Sequence, residues 1–96
     1  MNSKYAQGRN FEYKVANLLK KEGFLFVSRF PGSKHFDIVA WDGKYLFLIE
    51  CKKGNYSEKE INKKKDEALS VNAIFRFYYI DEFGKVCMRE VRGETK

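Results

Sequence analysis

Two acids and a lysine set the chemistry this chain can offer. Asp37 opens the run Asp37-Ile38-Val39-Ala40-Trp41, and Glu50 and Lys52 close the run Leu46-Phe47-Leu48-Ile49-Glu50-Cys51-Lys52. Both runs read as strands, and Asp42-Gly43 between them is a strong hairpin signal. With Asp42 and Gly43 as the two loop residues, Trp41 pairs with Lys44, Asp37 faces Leu48, and His35 lies across from Glu50. Cross-strand partners share a face, as do alternate residues along a strand, so Asp37, Glu50 and Lys52 project from one side of the sheet. Asp37 and Glu50 become diagonal neighbours with backbones about 7–8 Å apart. Carboxylates at that spacing reach one hard divalent cation of the Mg²⁺ or Mn²⁺ type, and the adjacent ammonium can stabilise charge on an attacked phosphate. The competing reading is a structural salt bridge, because buried ion-pair networks gather the same groups.

The elements that must hold these residues follow from periodicity. Phe11, Val15, Leu18 and Leu19 recur at helical spacing within an amphipathic helix from Tyr5 to Glu22, and Gly23 stops it. Phe24 to Phe30 reads as a strand that Pro31-Gly32-Ser33 breaks, and the strands Phe36 to Trp41 and Lys44 to Lys52 follow. Ser57, with Glu60 three residues on, has the capping-box pattern at the start of a lysine-rich helix ending near Leu69. Ala73 to Ile80 and Val86 to Val91 are two further strands around a turn at Glu82 to Gly84. The expectation is an α/β chain, α+β-like in detail: a central mixed sheet flanked by two helices in the order αβββαββ, as one domain over residues 1–96. Ala73 to Ile80 is apolar or aromatic on both faces, which places it centrally in the sheet or at a subunit contact.

Composition narrows the class. The 96 residues carry a net charge of +6, with 44% hydrophobic and 17% aromatic residues. This excludes a disordered or collagenous chain. Mapped along the sequence, Met1–Phe36 carries +5, Asp37–Cys51 −2, Lys52–Lys65 +4 and Asp66–Lys96 −1. Acid between two basic blocks suits a metal site that works on a polyanion, whereas a plain binding patch needs only the basic blocks. An ordinary basic surface is the alternative. Nine Phe, six Tyr and one Trp are many for so small a core, and we expect some of them in a subunit interface. Cys51 and Cys87 form no disulfide framework or zinc motif. No leader or membrane span is recognised, and the expected location is intracellular and cytoplasmic.

Four segments together resemble a known family: Gly8-Arg9-x-x-Glu12, Gly32-Ser33, Asp37-Ile38-Val39-Ala40 and Ile49-Glu50-Cys51-Lys52. They are similar to the PD-(D/E)xK nuclease superfamily with its restriction-endonuclease-like fold, and most of all to its archaeal Holliday-junction resolvase branch. The resemblance runs from about Gly8 to Lys53, roughly half the chain, and the combination is far more specific than Asp-x(n)-Glu-x-Lys alone. It implies metal-binding carboxylates at Asp37 and Glu50, a further ligand in the backbone carbonyl of Cys51, and Glu12 at the metal directly or through water. Lys52 would orient the attacking water or stabilise the phosphate, and Ser33 would lie near the scissile bond. Arg9, Lys34, His35, Lys53, Lys59 and Lys63 are the candidate DNA contacts. Each has a plainer alternative: a helix glutamate paired with a lysine for Glu12, a turn former for Ser33, an incidental loop residue for His35, and solvated side chains for the basic residues.

The expected function is therefore a Mg²⁺-dependent endonuclease, with Mn²⁺ as a substitute, that cuts four-way DNA junctions symmetrically as a homodimer. No organic cofactor and no membrane partner are expected. The alternatives are another nuclease of the superfamily, acting on branched, damaged or restriction-type sites, and a non-catalytic DNA-binding module on the same fold.

Overall fold

The computed structural model describes residues 3–30 and 35–93, with side chains from Arg9 onward. Ser33 and Lys34 lie outside the described residues. The elements are α1 (Ser3–Glu22), β1 (Phe26–Arg29), β2 (Ile38–Trp41), β3 (Leu46–Lys52), α2 (Glu58–Ser70), β4 (Ile74–Ile80) and β5 (Val86–Val91). The order is the expected one, although β1, β2 and β3 each begin two residues later than expected. The five strands form one sheet in chain order, antiparallel except for the parallel β3–β4 pair that α2 connects. β4 is thus an interior strand, one of the two placements its two-sided apolar pattern allowed.

Each sheet face has its own core. On one, Phe11, Val15, Ala16 and Leu19 of α1 meet Ile38, Ala40, Phe47, Ile49 and Cys51. On the other, Ile61 and Ala68 of α2 meet Phe36, Phe75 and Phe77. Leu18, expected on the apolar stripe, is exposed. The packed arc of α1 runs instead through Val15, Ala16 and Leu19, and Leu18 lies past its edge.

Both helices end in the same way. The Gly23 and Phe24 N–H groups donate to Lys20 and Leu19 carbonyls, with Gly23 at φ +101°. Asn72 and Ala73 donate equivalently to Leu69 and Ala68, with Asn72 at φ +62°. These are paired Schellman closures, which need a left-handed residue just past the helix. At the start of α2, Ser57 Oγ accepts the Glu60 N–H at 3.1 Å, as the capping pattern predicts. Arg89 of β5 fastens the same end through Glu58 at 3.1 Å.

The hairpin register departs from expectation. Ile38 pairs with Ile49 and Trp41 with Leu46, a shift of two residues from the predicted pairing. Asp42 is not a central loop residue. Its N–H donates to the Tyr45 carbonyl, and its carboxylate accepts the N–H groups of Lys44 and Tyr45 at 2.8 and 2.7 Å. Gly43, at φ +103°, takes the first central position of the turn. An even shift leaves the paired side chains of β2 and β3 on their predicted faces; ahead of them Phe36 turns to the α2-side core while Ile38 packs under α1, yet Asp37 still meets Glu50.

Candidate metal centre

The site lies where β2 begins and β3 ends. Asp37 stands just before β2 with its main chain fixed on both sides: its N–H donates to Ile49 O at 3.0 Å, and its carbonyl accepts the Phe30 N–H at 2.8 Å. Its carboxylate accepts the Cys51 N–H at 2.9 Å. With Ile38 paired to Ile49, Asp37 comes beside Glu50 and not diagonal to it. His35 consequently does not lie across from Glu50. It is exposed, with its ring nitrogen Nδ1 on Glu67 Oε1 and its carbonyl accepting Lys64 Nζ.

Glu50 is only 5% exposed. Burial and the Asp37 charge push its pKa up to about 8, and hydrogen bonding with Asp37 adds to this, while the charges of Lys64 and Lys52 oppose it. Glu50 therefore tends to keep its proton beside half-buried Asp37. A divalent cation would relieve that arrangement, and the donors are the oxygens Mg²⁺ and Mn²⁺ favour. No group of three or more His, Cys, Asp or Glu side chains gathers into a shell among the described residues. Two carboxylates with the remaining positions left to backbone, water and phosphate is the usual protein share for Mg²⁺ at phosphoryl sites.

The flanking groups divide by sheet face. Lys52 shares the face of Glu50, and its Nζ lies 3.1 Å from Glu60 Oε1 of α2. Burial works against its charge, but Glu60, Glu50 and Asp37 outweigh that and hold its pKa above the ordinary lysine value. Cys51 points into the α1-side core, and burial followed by the nearby carboxylates raises its thiol pKa, so the thiol stays protonated. Glu12 comes from α1. Arg29 Nη2 and Nε donate to its Oε1 at 3.1 and 3.3 Å, yet burial and the Asp37 charge still raise its pKa. Glu12 is thus within electrostatic reach of Asp37 while clasped by Arg29. Arg9, Lys53, Lys59 and Lys63 are all exposed.

Sequence reasoning missed three members of this neighbourhood. Arg29 alternates with the inward-facing Val27 on β1, a signal that placed it toward α1 and Glu12. Glu60 carried a capping-box reading that concealed its role, since its side chain goes to Lys52 and only its N–H serves the cap. Lys64 lies one turn beyond Glu60, the spacing that keeps two helical side chains on one face.

Fold and site together define a mixed-sheet protein with a carboxylate pair and a lysine at the ends of an antiparallel hairpin. A solved structure of the same fold is that of Archaeoglobus fulgidus Hjc, a Holliday junction resolvase, at TM-score 0.66 and 23% identity over 94% of this chain and 79% of that one. Residues 3–77 match the family described as archaeal Holliday junction resolvase (Hjc), and the chain belongs to that family. A curated relative, the crossover junction endodeoxyribonuclease Hjc of Methanocaldococcus jannaschii, is 38% identical over 76 residues, 78% of this chain. The match spans 56% of that relative, so this chain corresponds to little more than half of its length.

Proposed function

We propose that this protein is a divalent-metal-dependent DNA endonuclease selective for four-way junctions, with Mg²⁺ as its working cation. The observation that carries this is buried Glu50 beside half-buried Asp37, with Lys52 two residues past Glu50, in a chain of the Hjc family. When bound, the cation lowers the pKa of a coordinated water and neutralises phosphate charge.

Asp37 and Glu50 would hold it, joined by the Cys51 carbonyl. The Cys51 N–H aims the Asp37 carboxylate, and the paired strands fix the separation of the two acids. Lys52 keeps a positive charge beside the place where negative charge develops. Glu12 is an outer carboxylate that Arg29 orients. Arg9, Lys53, Lys59 and Lys63, with Lys34, His35 and Ser33 from the preceding loop, contribute contacts to the DNA backbone.

The dimer belongs to the same proposal. Phe26, Trp41 and Leu46 pair in register across β1, β2 and β3, and all three are exposed. Such a row suits a self-complementary contact that places two sites about a two-fold axis.

Cleavage of an end-labelled four-way junction with and without Mg²⁺ tests the reading. Asp37→Ala, Glu50→Ala and Lys52→Ala should each abolish cleavage and leave most binding intact. Full activity in EDTA or in Asp37→Ala would sink the metal mechanism. Equal rates on junction, duplex, flap and single strand at one salt concentration would reject junction selectivity.

A further inference from the structure

Three residues of α2 face the metal-site strands from one stripe of the helix. Glu60, Lys64 and Glu67 recur at i, i+4 and i+7, which is one face of a helix. Glu60 Oε1 is 3.1 Å from Lys52 Nζ at the end of β3. Lys64 Nζ donates to the His35 carbonyl, two residues before Asp37, and lies 5.6 Å from the Phe36 ring centroid. Glu67 holds the His35 ring. One helix face therefore grips both the lysine and the segment leading into Asp37. The grip is well founded, because Ile61 and Ala68 bury the adjoining face of α2 and Ser57 and Arg89 fix its start.

We infer that Glu60 is a positioning residue for the reaction: through its contact with Lys52 it sets where the lysine ammonium stands relative to the Asp37–Glu50 pair. This rests on the nuclease reading above. A flexible lysine at a strand end would otherwise sample many rotamers, and its value to the reaction depends on a fixed charge at the phosphate. Simple electrostatics predicts the opposite sign for this residue. Removing an acid beside a DNA site should strengthen binding and, if charge were all that mattered, speed cleavage.

The test compares Glu60→Ala, Glu60→Gln and Glu60→Asp in the full chain. Single-turnover cleavage of a labelled junction is measured alongside junction affinity in EDTA and thermal unfolding. Alanine leaves the α2 cap in place, since Ser57 accepts only the main-chain N–H of this residue. The expected result is a roughly ten- to hundredfold lower cleavage rate in Glu60→Ala, with equal or tighter binding and an unchanged melting temperature. Glu60→Gln and Glu60→Asp should recover part of the rate. An unchanged or faster rate in Glu60→Ala would overturn the inference, as would a loss that tracks a lowered melting temperature and vanishes on cooling.

A second readout separates this inference from the function it rests on. The ¹⁵N-ammonium resonance of Lys52, assigned by its loss in Lys52→Ala, should be observable in the wild type and broadened in Glu60→Ala. If the wild type shows that resonance but cleaves no junction, the nuclease reading fails while the positioning contact stands. If the resonance is the same in both proteins, the positioning contact fails.

Discussion

The Asp37 carboxylate accepts the peptide N–H of Cys51 at 2.9 Å, tying a side chain at the start of β2 to the main chain at the end of β3. A first prediction follows. Asp37→Asn keeps an oxygen for that N–H but loses the charge, so it should lower junction cleavage at least a hundredfold with little change in stability. Asp37→Ala should show the same catalytic loss and a further destabilisation of about 1–2 kcal/mol from the unpaired N–H. Urea unfolding beside cleavage assays separates the two effects. Equal stability of the two variants would show that the hydrogen bond contributes nothing.

Glu50 gives a pH prediction. Its folded pKa, pushed up to about 8 by burial and Asp37, lies above the ordinary value of 4.5. In metal-free protein the unfolded chain releases this proton at lower pH than the folded one, so stability should fall as pH rises from 4.5 and level off above 8. Glu50→Gln removes that decline and should be more stable than wild type at high pH by about 2 kcal/mol, while losing cleavage. Denaturant melts across pH in EDTA check it, and parallel pH profiles for the two proteins would contradict it.

Arg76 is the one buried cation among the described residues, 7% exposed in the middle of β4. It bonds Glu90 at 2.8 Å, Glu22 at 3.1 Å and the Tyr78 hydroxyl at 3.0 Å, tying the end of α1 to β5. Arg76→Ala should cost about 3–5 kcal/mol, because it strands a network and leaves a cavity. Burial works to raise the Glu90 pKa, but Arg76 and Arg92 overcome it and hold the carboxyl below its ordinary range. Its contribution is therefore complete above the ordinary glutamate pKa and lost as pH falls through the lowered value. Glu90→Gln should flatten that part of the acid unfolding curve.

The two Schellman closures make a matched pair of substitutions. Asn72→Gly should stabilise by about 0.5–1 kcal/mol, since glycine adopts positive φ without the Cβ penalty. Gly23→Ala should destabilise by about 1–2 kcal/mol through conformation alone, as an added Cβ there meets nothing within 4 Å. Thermal melts measure both, and a destabilised Asn72→Gly would mean that the asparagine side chain has a role of its own.

Much of the architecture was legible because its signals are local. The helical spacing in α1, the Ser57 cap, the glycine stop and the apolar run of β3 each rest on neighbours in sequence. The meeting of Asp37 with Glu50 and Lys52 was legible for the same reason, since parity within the paired strands survives a two-residue slip. The register itself was not, because Asp42 has two ways of making a turn and its carboxylate selects one by capping Lys44 and Tyr45. Nor were the partners of Lys52, Glu12 and Arg76, because these contacts join elements distant along the chain. Asn72 as a helix terminus was overlooked where glycine would have been noticed.

The parallel pairing of β3 with β4 has a kinetic side. Asp37 and Glu50 meet across a hairpin that closes over a few residues, whereas Phe47 finds Ile74 only after all of α2 has been looped between them. Local closure precedes long-range pairing, since the entropy of the larger loop must be overcome first. The acids should therefore come together early in refolding, and the helix that grips Lys52 should dock late. Pulse-labelled hydrogen exchange should protect β2–β3 amides ahead of those in α2, and simultaneous protection would contradict this order. On the proposed function, a chain that folds in this sequence would bring its two carboxylates together before Lys52 is held, so a divalent cation would act as a folding ligand on an intermediate not yet able to cut DNA.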